Sequence, residues 1–344
     1  MADRTGLTVV TRTTTTPAEA APGTAVEPTR RVRPVEVLIA LLAVAVVGRI
    51  WLADTTFALP VQAWLTVFVA IVVQATPFIV LGTLVSGAIT ALVPPSFFTR
   101  VLPARHALAV PVAGVAGVVL PGCECGSVPV AGALVRRGVA PAAALAFLLS
   151  APAINPVVLV ATSVAFPGQP LMVLARFGAS LVTAVLMGWL WLRFGRPEWF
   201  RPTLRRHPEG AGTVSVFLAT CREDMTQAGG YLVLGALAAA TLNVVVPPGW
   251  LQAVADHPVW SVLALALLAV VLSLCSEADA FVAASLPQFS LTARLAFLVV
   301  GPMVDIKLVA MQIGTFGRGM ALRFAPATFG VAVGVSVVVG ALLW

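Results

Sequence analysis

Leu145-Ala-Phe-Leu-Leu-Ser-Ala-Pro-Ala-Ile-Asn155 has a second copy later in the chain, Leu295-Ala-Phe-Leu-Val-Val-Gly-Pro-Met-Val-Asp305. The copies are 150 residues apart without a gap, and the same offset relates Cys125 to Cys275. An earlier motif recurs 153 residues later, as Gln74-Ala75 with Val93-Pro94-Pro95 and then Gln227-Ala228 with Val246-Pro247-Pro248. Two apolar halves that are interrupted at matching positions by proline and polar residues are typical of a membrane transporter.

The composition indicates a polytopic membrane protein. Apolar residues make up 59% of the 344 residues and charged residues only 10%, and the mean hydropathy is +1.00. A soluble protein exposes far more charge than this, and a spanning helix needs about 20 apolar residues. Because open sheets leave backbone groups unpaired in lipid, the spans are predicted to be helices. The stretches without Asp, Glu, Lys or Arg are 55–99, 107–123, 138–175, 225–255, 257–276 and 324–344.

The first 35 residues differ from the rest of the chain. They form a low-complexity segment rich in Thr, Pro and Ala, and we expect 1–35 to be a disordered cytoplasmic tail. The tail lacks the short apolar core of a cleavable signal peptide, and Val37–Ala53 is therefore predicted to be a true first span. Residues 36–63 then comprise this span and an outer loop.

Basic residues cluster beside the apolar segments. The net charge is +7, but its distribution follows the positive-inside pattern of membrane proteins, so no nucleic-acid partner is expected. We predict a multi-pass protein of the cytoplasmic (inner) membrane of a bacterium, with its N-terminus in the cytoplasm. The residues on which this orientation depends are Arg30, Arg31, Arg33, Arg193, Arg196, Arg201, Arg205, Arg206 and Arg222.

The same charge pattern predicts an all-helical fold of about eight to ten membrane segments. Residues 64–192 and 225–344 are interpreted as two permease repeats, joined by a basic cytoplasmic linker at 193–224. Matching segments run in opposite directions by charge count. The expected fold class is therefore a pair of inverted-topology repeats with broken or re-entrant helices.

Pro121-Gly-Cys-Glu-Cys-Gly-Ser-Val-Pro129 is the first motif that suggests chemistry. Its Gly and Pro residues predict an interrupted helix, and irregular backbone at membrane depth is tolerated only in buried or cavity-lining positions. A lone membrane cysteine is usually packing, whereas here Cys123, Cys125 and Cys275 recur around carboxylates. Thiolates suit soft metals and metalloids. These cysteines are the candidate metal ligands, and whether their segments are re-entrant or spanning is left open.

Each Leu-Ala-Phe-Leu copy leads into a proline and a polar residue. Such breaks line the midplane site of many transporters, although one alone is equally compatible with a kinked packing helix. Two matched breaks favour a transport site. The residues assigned to the helix breaks and their polar neighbours are Pro129, Pro152, Asn155, Pro156, Pro302, Asp305 and Lys307.

Ionisable residues inside apolar segments are functional candidates because burying a charge in lipid is costly. After the first span these are the carboxylates of Glu124, Glu277, Asp279 and Asp305, with Lys307, the only lysine in the chain. Residues two apart do not face each other on a regular helix. Asp305 and Lys307 are therefore each expected to pair with Glu277, Asp279 or a carbonyl of the opposite repeat. Glu277, Asp279 and Glu124 are equal candidates for proton exchange.

Gln74 and Gln227 open equivalent helices, and the sequence leaves open whether they point inward or bond neighbouring helices. No serine–histidine, His-Glu-x-x-His or phosphate-loop pattern occurs. We therefore expect no catalytic residue, no cofactor and no enzyme activity.

Several of these motifs resemble the predicted permease family that includes bacterial organoarsenical efflux permeases (ArsP-like and YraQ-like proteins). They are Pro121–Pro129, Arg136-Arg137-Gly138, Leu145–Leu148, Ala151–Pro156 and Gly301–Lys307. The resemblance covers roughly 60–344 and implies a multi-span inner-membrane permease. Some members export trivalent organoarsenicals with the help of cysteines, and Cys123, Cys125 and Cys275 occupy suitable positions.

The sequence thus predicts a secondary permease that exports a small, soft, thiophilic solute, either a trivalent organoarsenical or a metal or metalloid. Proton coupling is left open. The alternatives are a permease for another cargo such as a divalent metal complex, an intramembrane enzyme, or a membrane scaffold. The expected partners are the small-molecule or metalloid substrate and the lipid bilayer, and a homo-oligomer is also left open.

Overall fold

The computed structural model describes residues 58–103, 105–119, 123–200, 212–245 and 257–344, and these form helices joined by short turns, with no strand among them. The predicted tail and first span lie outside the described residues, and 58–63, the described part of the predicted outer loop, are helical. The α-helices are α1 Ala58–Leu92, α2 Pro95–Val101, α3 His106–Ala116, α4 Glu124–Arg136, α5 Pro141–Ile154, α6 Pro156–Ala165, α7 Pro170–Phe194, α8 Thr213–Val245, α9 Pro258–Leu272, α10 Ser276–Ala284, α11 Leu291–Val300, α12 Ile306–Phe316 and α13 Arg318–Leu343.

Within the described residues, six helical segments are long and apolar enough to cross a membrane. They are α1, α5 with α6, α7, α8, α11 with α12, and α13. The multi-pass, all-helical part of the expectation is thereby confirmed. The shorter apolar helices α3 and α9 precede α4 and α10, and the re-entrant interpretation of these pairs stays a prediction, as does the inversion of the two repeats.

The two interrupted spans form the interior of the molecule. In the 18-residue apolar stretch of α5–α6 and in that of α11–α12, 78% of the residues are buried, whereas 22% to 50% are buried in the corresponding stretches of the four uninterrupted spans. The first interruption falls at Asn155, because Pro156 begins α6 and proline favours an extended residue before it. The second comprises Gly301–Asp305, between α11 and α12.

Two of the prolines predicted as helix breaks are not at breaks. Pro129 lies inside α4 and Pro152 lies inside α5. Both positions are buried among neighbouring helices. A proline removes one helical hydrogen bond and can kink a helix without ending it, so the packed surroundings keep the chain helical through both.

Helices α1 and α8 pack along each other and lie against the interior helices at glycines. A Cβ built on Gly82 of α1 would lie 2.5 Å from the carbonyl oxygen of Gly126 in α4. One on Gly235 of α8 would lie 2.5 Å from the Cα of Lys307 in α12. Helix α8 also begins at Thr213, so the end of the segment predicted as a linker, 213–224, is helical.

An ion pair and a hydrogen bond connect the C-terminal end of α4 to α8 and α1. Arg136 Nη2 lies 3.0 Å from both Asp224 Oδ2 of α8 and Ser86 Oγ of α1. The Ser86 hydroxyl also donates to Asp224. Since a buried charge needs a partner, this contact fixes the position of α4 relative to α1 and α8.

Candidate functional site

Helices α4 and α10 both begin immediately after a cysteine. Cys123 and Cys275 are the N-cap residues, with φ/ψ of −84°/176° and −82°/154°. The sequence offset pairs Cys125 with Cys275, but by position on the helix the counterpart of Cys275 is Cys123. The first helical residues are then Glu124 and Ser276, and the Ser276 hydroxyl donates to Glu124 Oε2 across the two halves at 3.2 Å.

The two N-caps meet in one pocket. Its volume is about 10 Å³, the size of a cavity that holds one water molecule. One wall belongs to α1, and the remaining residues come from the predicted site segments of both halves. The lining residues are Ile71, Gln74, Ala75, Cys123, Glu124, Cys125, Cys275 and Lys307.

Lys307 lies at the centre of the charges in this pocket. Its Nζ is 2.7 Å from Glu124 Oε1 and 3.3 Å from Asp305 Oδ2. It also donates to the carbonyl oxygens of Ser273 at 2.6 Å and Leu274 at 2.9 Å. Lys307 and both carboxylates are buried. A buried charge without such partners is strongly unfavourable, and here one ammonium neutralises charge from both halves.

The expectation that Asp305 and Lys307 face away from each other was wrong. Asp305 is the N-cap of α12 and has an extended backbone, with φ −137° and ψ 168°. Because helical spacing does not apply to a cap residue, its side chain both caps the helix and reaches Lys307. Asp305 Oδ1 accepts a hydrogen bond from the Leu308 amide at 2.5 Å.

Asn155 has the same place in the first half. It is the N-cap of α6, and its Oδ1 accepts from the Val158 amide at 3.0 Å. Its Nδ2 donates to the Ala151 carbonyl, in the last turn of the preceding helix, at 3.0 Å. Asn155 is fully buried but does not line the pocket. The helices after the two breaks therefore have the same kind of side-chain N-cap, and in the second break the capping residue also carries a negative charge.

The Cys-Glu-Cys motif places three donor groups together. The Sγ atoms of Cys123 and Cys125 and a carboxylate oxygen of Glu124 all lie within 4.8 Å of one another, and all three residues are buried. Two thiols and a carboxylate at this separation match the ligand set of a thiophilic ion, with thiolates as the soft donors.

Cys275 faces this group from the other half and is already hydrogen-bonded. Gln74 Nε2 of α1 donates to Cys275 Sγ at 2.6 Å. Gln74 therefore points into the pocket. Gln227, its counterpart, instead donates to the Gly314 carbonyl of α12, which is a bond between neighbouring helices. The sequence had left both interpretations open for each residue.

Glu277 and Asp279 do not line the pocket. They are also not the partners of Lys307, so the expectation of those pairs was wrong. Asp279 is buried and lies against Gly301 in the second break. Neither of its carboxylate oxygens accepts a hydrogen bond from any residue that the structure describes.

Sequence reasoning missed Arg176, a fully buried arginine in α7. Its Nη1 donates to Thr162 Oγ1 at 2.7 Å, and its Nη2 donates to the Ser276 carbonyl at 2.8 Å. It is also close enough to Asp279 and Glu277 to interact with their charges. The available signal was its position, since it interrupts an otherwise uncharged apolar segment.

The fold and the pocket define a class, that of polytopic helical membrane proteins with a charged, thiol-containing pocket between two helix N-termini. Residues 61–344 match the ArsP_1 family, described as a predicted permease. The chain belongs to this family. The family resemblance inferred from the motifs is thereby confirmed.

Two relatives cover most of the chain. The UPF0718 protein YcgR of Bacillus subtilis is 38% identical over 260 residues, which are 74% of this chain and 88% of the relative. A Streptococcus mutans protein named "Putative two-component membrane permease complex subunit" is 34% identical over 271 residues, 76% of this chain and 89% of the relative. No solved structure matches the chain. Family membership supports a membrane transporter rather than an enzyme.

Proposed function

We propose that this chain is a secondary permease of the bacterial cytoplasmic membrane that exports a small thiophilic solute, a trivalent organoarsenical or a related metalloid species. The observation that carries the proposal is the Cys123–Glu124–Cys125 group, whose three donor atoms lie within 4.8 Å in a buried pocket. A trivalent arsenical is soft and binds sulfur, so two adjacent thiols select it over hard cations.

The third thiol gives the site a contribution from each half. Cys275 lines the same pocket as Cys123 and Cys125, and by helix position it is the counterpart of Cys123. A solute held between these residues would contact both repeats. A site that both halves share is where alternating access takes place in transporters built from repeats.

Transport requires the pocket to open. A volume of about 10 Å³ admits a water molecule but no organoarsenical. The wall that must move is α1, which contributes Ile71, Gln74 and Ala75 and covers Cys275 through Gln74. Cargo binding to the Cys275 thiol displaces the Gln74 amide. Displacement of α1 is the first step of access to the site.

The carboxylates supply the coupling in this proposal. Glu124 and Asp305 are ion-paired with Lys307 in the pocket, and Asp279 is buried against Gly301 in the second break. Protonation of a carboxylate here would loosen contacts between the halves, so a proton gradient could drive the cycle. We include three further features in the same proposal: the N-terminus lies in the cytoplasm, the two repeats are inverted, and the chain assembles with a second copy of itself or with a second subunit. The name of the Streptococcus mutans relative supports the second subunit.

A divalent metal complex is the second candidate cargo. The observation in its favour is Glu124, because a carboxylate between two thiols suits a borderline ion such as Zn²⁺ as well as a soft one. The two candidate cargoes are distinguished by which species accumulates in the same transport assay.

The test uses everted membrane vesicles from an efflux-deficient strain that expresses the full chain. Vesicles are offered trivalent methylarsenical, arsenite, antimonite and Zn²⁺, with and without a pH gradient. We expect gradient-dependent accumulation of the trivalent organoarsenical by the wild type and at least a tenfold loss in Cys123→Ser/Cys125→Ser/Cys275→Ser, because a hydroxyl is a hard ligand.

Cys221→Ser is the matched control. Cys221 lies in α8, donates to the Thr83 carbonyl, and does not line the pocket, so transport should be unchanged. Undiminished organoarsenical transport by the triple variant would refute thiol-based selection. If the vesicles transport Zn²⁺ but none of the arsenicals, the cargo is the divalent metal complex and not the organoarsenical.

A further inference from the structure

Among the residues that the structure describes, the hydrogen-bond and ion-pair partners of the Lys307 ammonium are oxygen atoms of other residues. They are two carboxylate oxygens and two backbone carbonyl oxygens, at N–O distances of 2.6–3.3 Å. We propose that this cluster is a binding site for a monovalent cation, and that Lys307 occupies it with a cation tethered to the chain. The ligand class is an ion of the size of ammonium.

The carbonyl half of the cluster results from the way α9 ends. Ser273 has left-handed backbone angles, φ 48° and ψ 42°, a conformation that terminates a helix. Ser273 and Leu274 therefore lie outside both α9 and α10, and their carbonyl oxygens are not used within a helix. Irregular backbone at membrane depth needs another partner, and the cation supplies it.

The carboxylate half comes from both repeats. Glu124 begins α4 in the first half, and Asp305 caps α12 in the second. Two buried carboxylates close to one point repel each other unless a cation lies between them. Lys307 meets both, so it connects α4 to the α9–α12 region without an ion from solution.

The first half shows the same break without the charges. At the offset of 150 residues, Asn155 replaces Asp305 and Val157 replaces Lys307. Val157 is half exposed, and Asn155 satisfies its cap with a neutral amide. The second copy therefore has both the carboxylate and the lysine and the first copy has neither, as expected if the ammonium is present to balance the carboxylate.

The test removes the tether and offers ions from solution. Purified wild type, Lys307→Ala and Lys307→Met are melted in detergent at fixed pH and ionic strength, in ammonium, potassium, sodium or choline chloride. Lys307→Ala empties the site, whereas Lys307→Met fills it with an apolar chain of similar length. This measurement does not involve the cargo, so it can fail or succeed independently of the proposed efflux function.

We expect the melting midpoint of Lys307→Ala to lie below that of the wild type in choline and to rise in ammonium. At ammonium concentrations above the dissociation constant of the site, each tenfold increase in ammonium should raise this melting midpoint by about the same amount, as mass action requires. Wild type and Lys307→Met should show no difference between ammonium and choline. A Lys307→Ala midpoint that is identical in all four salts, or an equal rise in the wild type, would overturn the proposal.

A charge-balanced variant covers the case in which Lys307→Ala cannot be recovered in any salt. Asp305→Asn added to Lys307→Ala removes one of the two unbalanced carboxylates and keeps the cap acceptor. We expect this double variant to be recovered in folded form in choline. If it is lost as completely as the single variant, repulsion between Glu124 and Asp305 is not the cause and the cation site is rejected.

Discussion

Asp305 has two separable roles, and two substitutions distinguish them. Its Oδ1 caps α12 through the Leu308 amide at 2.5 Å, and its Oδ2 lies 3.3 Å from Lys307 Nζ. Asp305→Asn keeps a cap acceptor and removes the charge, whereas Asp305→Ala removes both. Asn and Asp are equivalent N-caps, and replacing either with Ala costs about 1 kcal/mol.

The magnitudes follow from these contacts. Removing one partner of a buried ion pair costs about 3–5 kcal/mol. Lys307 retains Glu124 and two carbonyls, so Asp305→Asn should lose less than this range. Asp305→Ala should lose about 1 kcal/mol more. Asn155→Ala tests a cap that has no ion pair, because it removes the equivalent bond to Val158 together with the Nδ2 bond to the Ala151 carbonyl.

Thermal unfolding in detergent and vesicle transport together test this separation. The melting midpoints should fall in the order wild type, Asp305→Asn, Asp305→Ala. Substrate binding should partly survive in Asp305→Asn while turnover is lost, since the amide preserves the helix start but not the charge. Equal midpoints for the two variants would show that the cap contributes nothing, and wild-type turnover by Asp305→Asn would remove the charge from the transport cycle.

Two further predictions concern packing and topology. Gly235→Ala should destabilise the protein by about 1–3 kcal/mol by overpacking, because the added Cβ would lie 2.5 Å from the backbone of α12. The control Gly230→Ala, whose Cβ would have nothing within 4 Å, should be neutral or stabilising in the same thermal unfolding measurement. Equal effects of the two substitutions would contradict the tight crossing of α8 and α12. Single cysteines engineered at 96–99 and at 249–252 should be labelled by an impermeant maleimide from opposite sides of the membrane, and labelling of both from one side would reject inverted repeats.

The sequence determined much about this protein because membrane burial constrains local composition strongly. Long apolar stretches could satisfy their backbone only as helices, and the proline–polar copies marked where two of them are interrupted. Cys123, Glu124 and Cys125 were identifiable as a candidate site because charged and thiol groups at membrane depth are rare. The same motifs were sufficient to indicate the permease family.

The tertiary structure alone decided how those residues are paired. Helical spacing predicted that Asp305 and Lys307 do not meet, and it failed because a cap residue lies off the helix. The carboxylates expected to pair with Lys307 were Glu277 and Asp279, yet its partners are Asp305 and Glu124 of the other half.

Arg176 likewise has its partners in other helices, at Thr162 of α6 and the Ser276 carbonyl of α10. Local pattern specifies which segments are helices and where they break. The distances between side chains on different helices depend on how the whole bundle packs, and no local spacing contains that information.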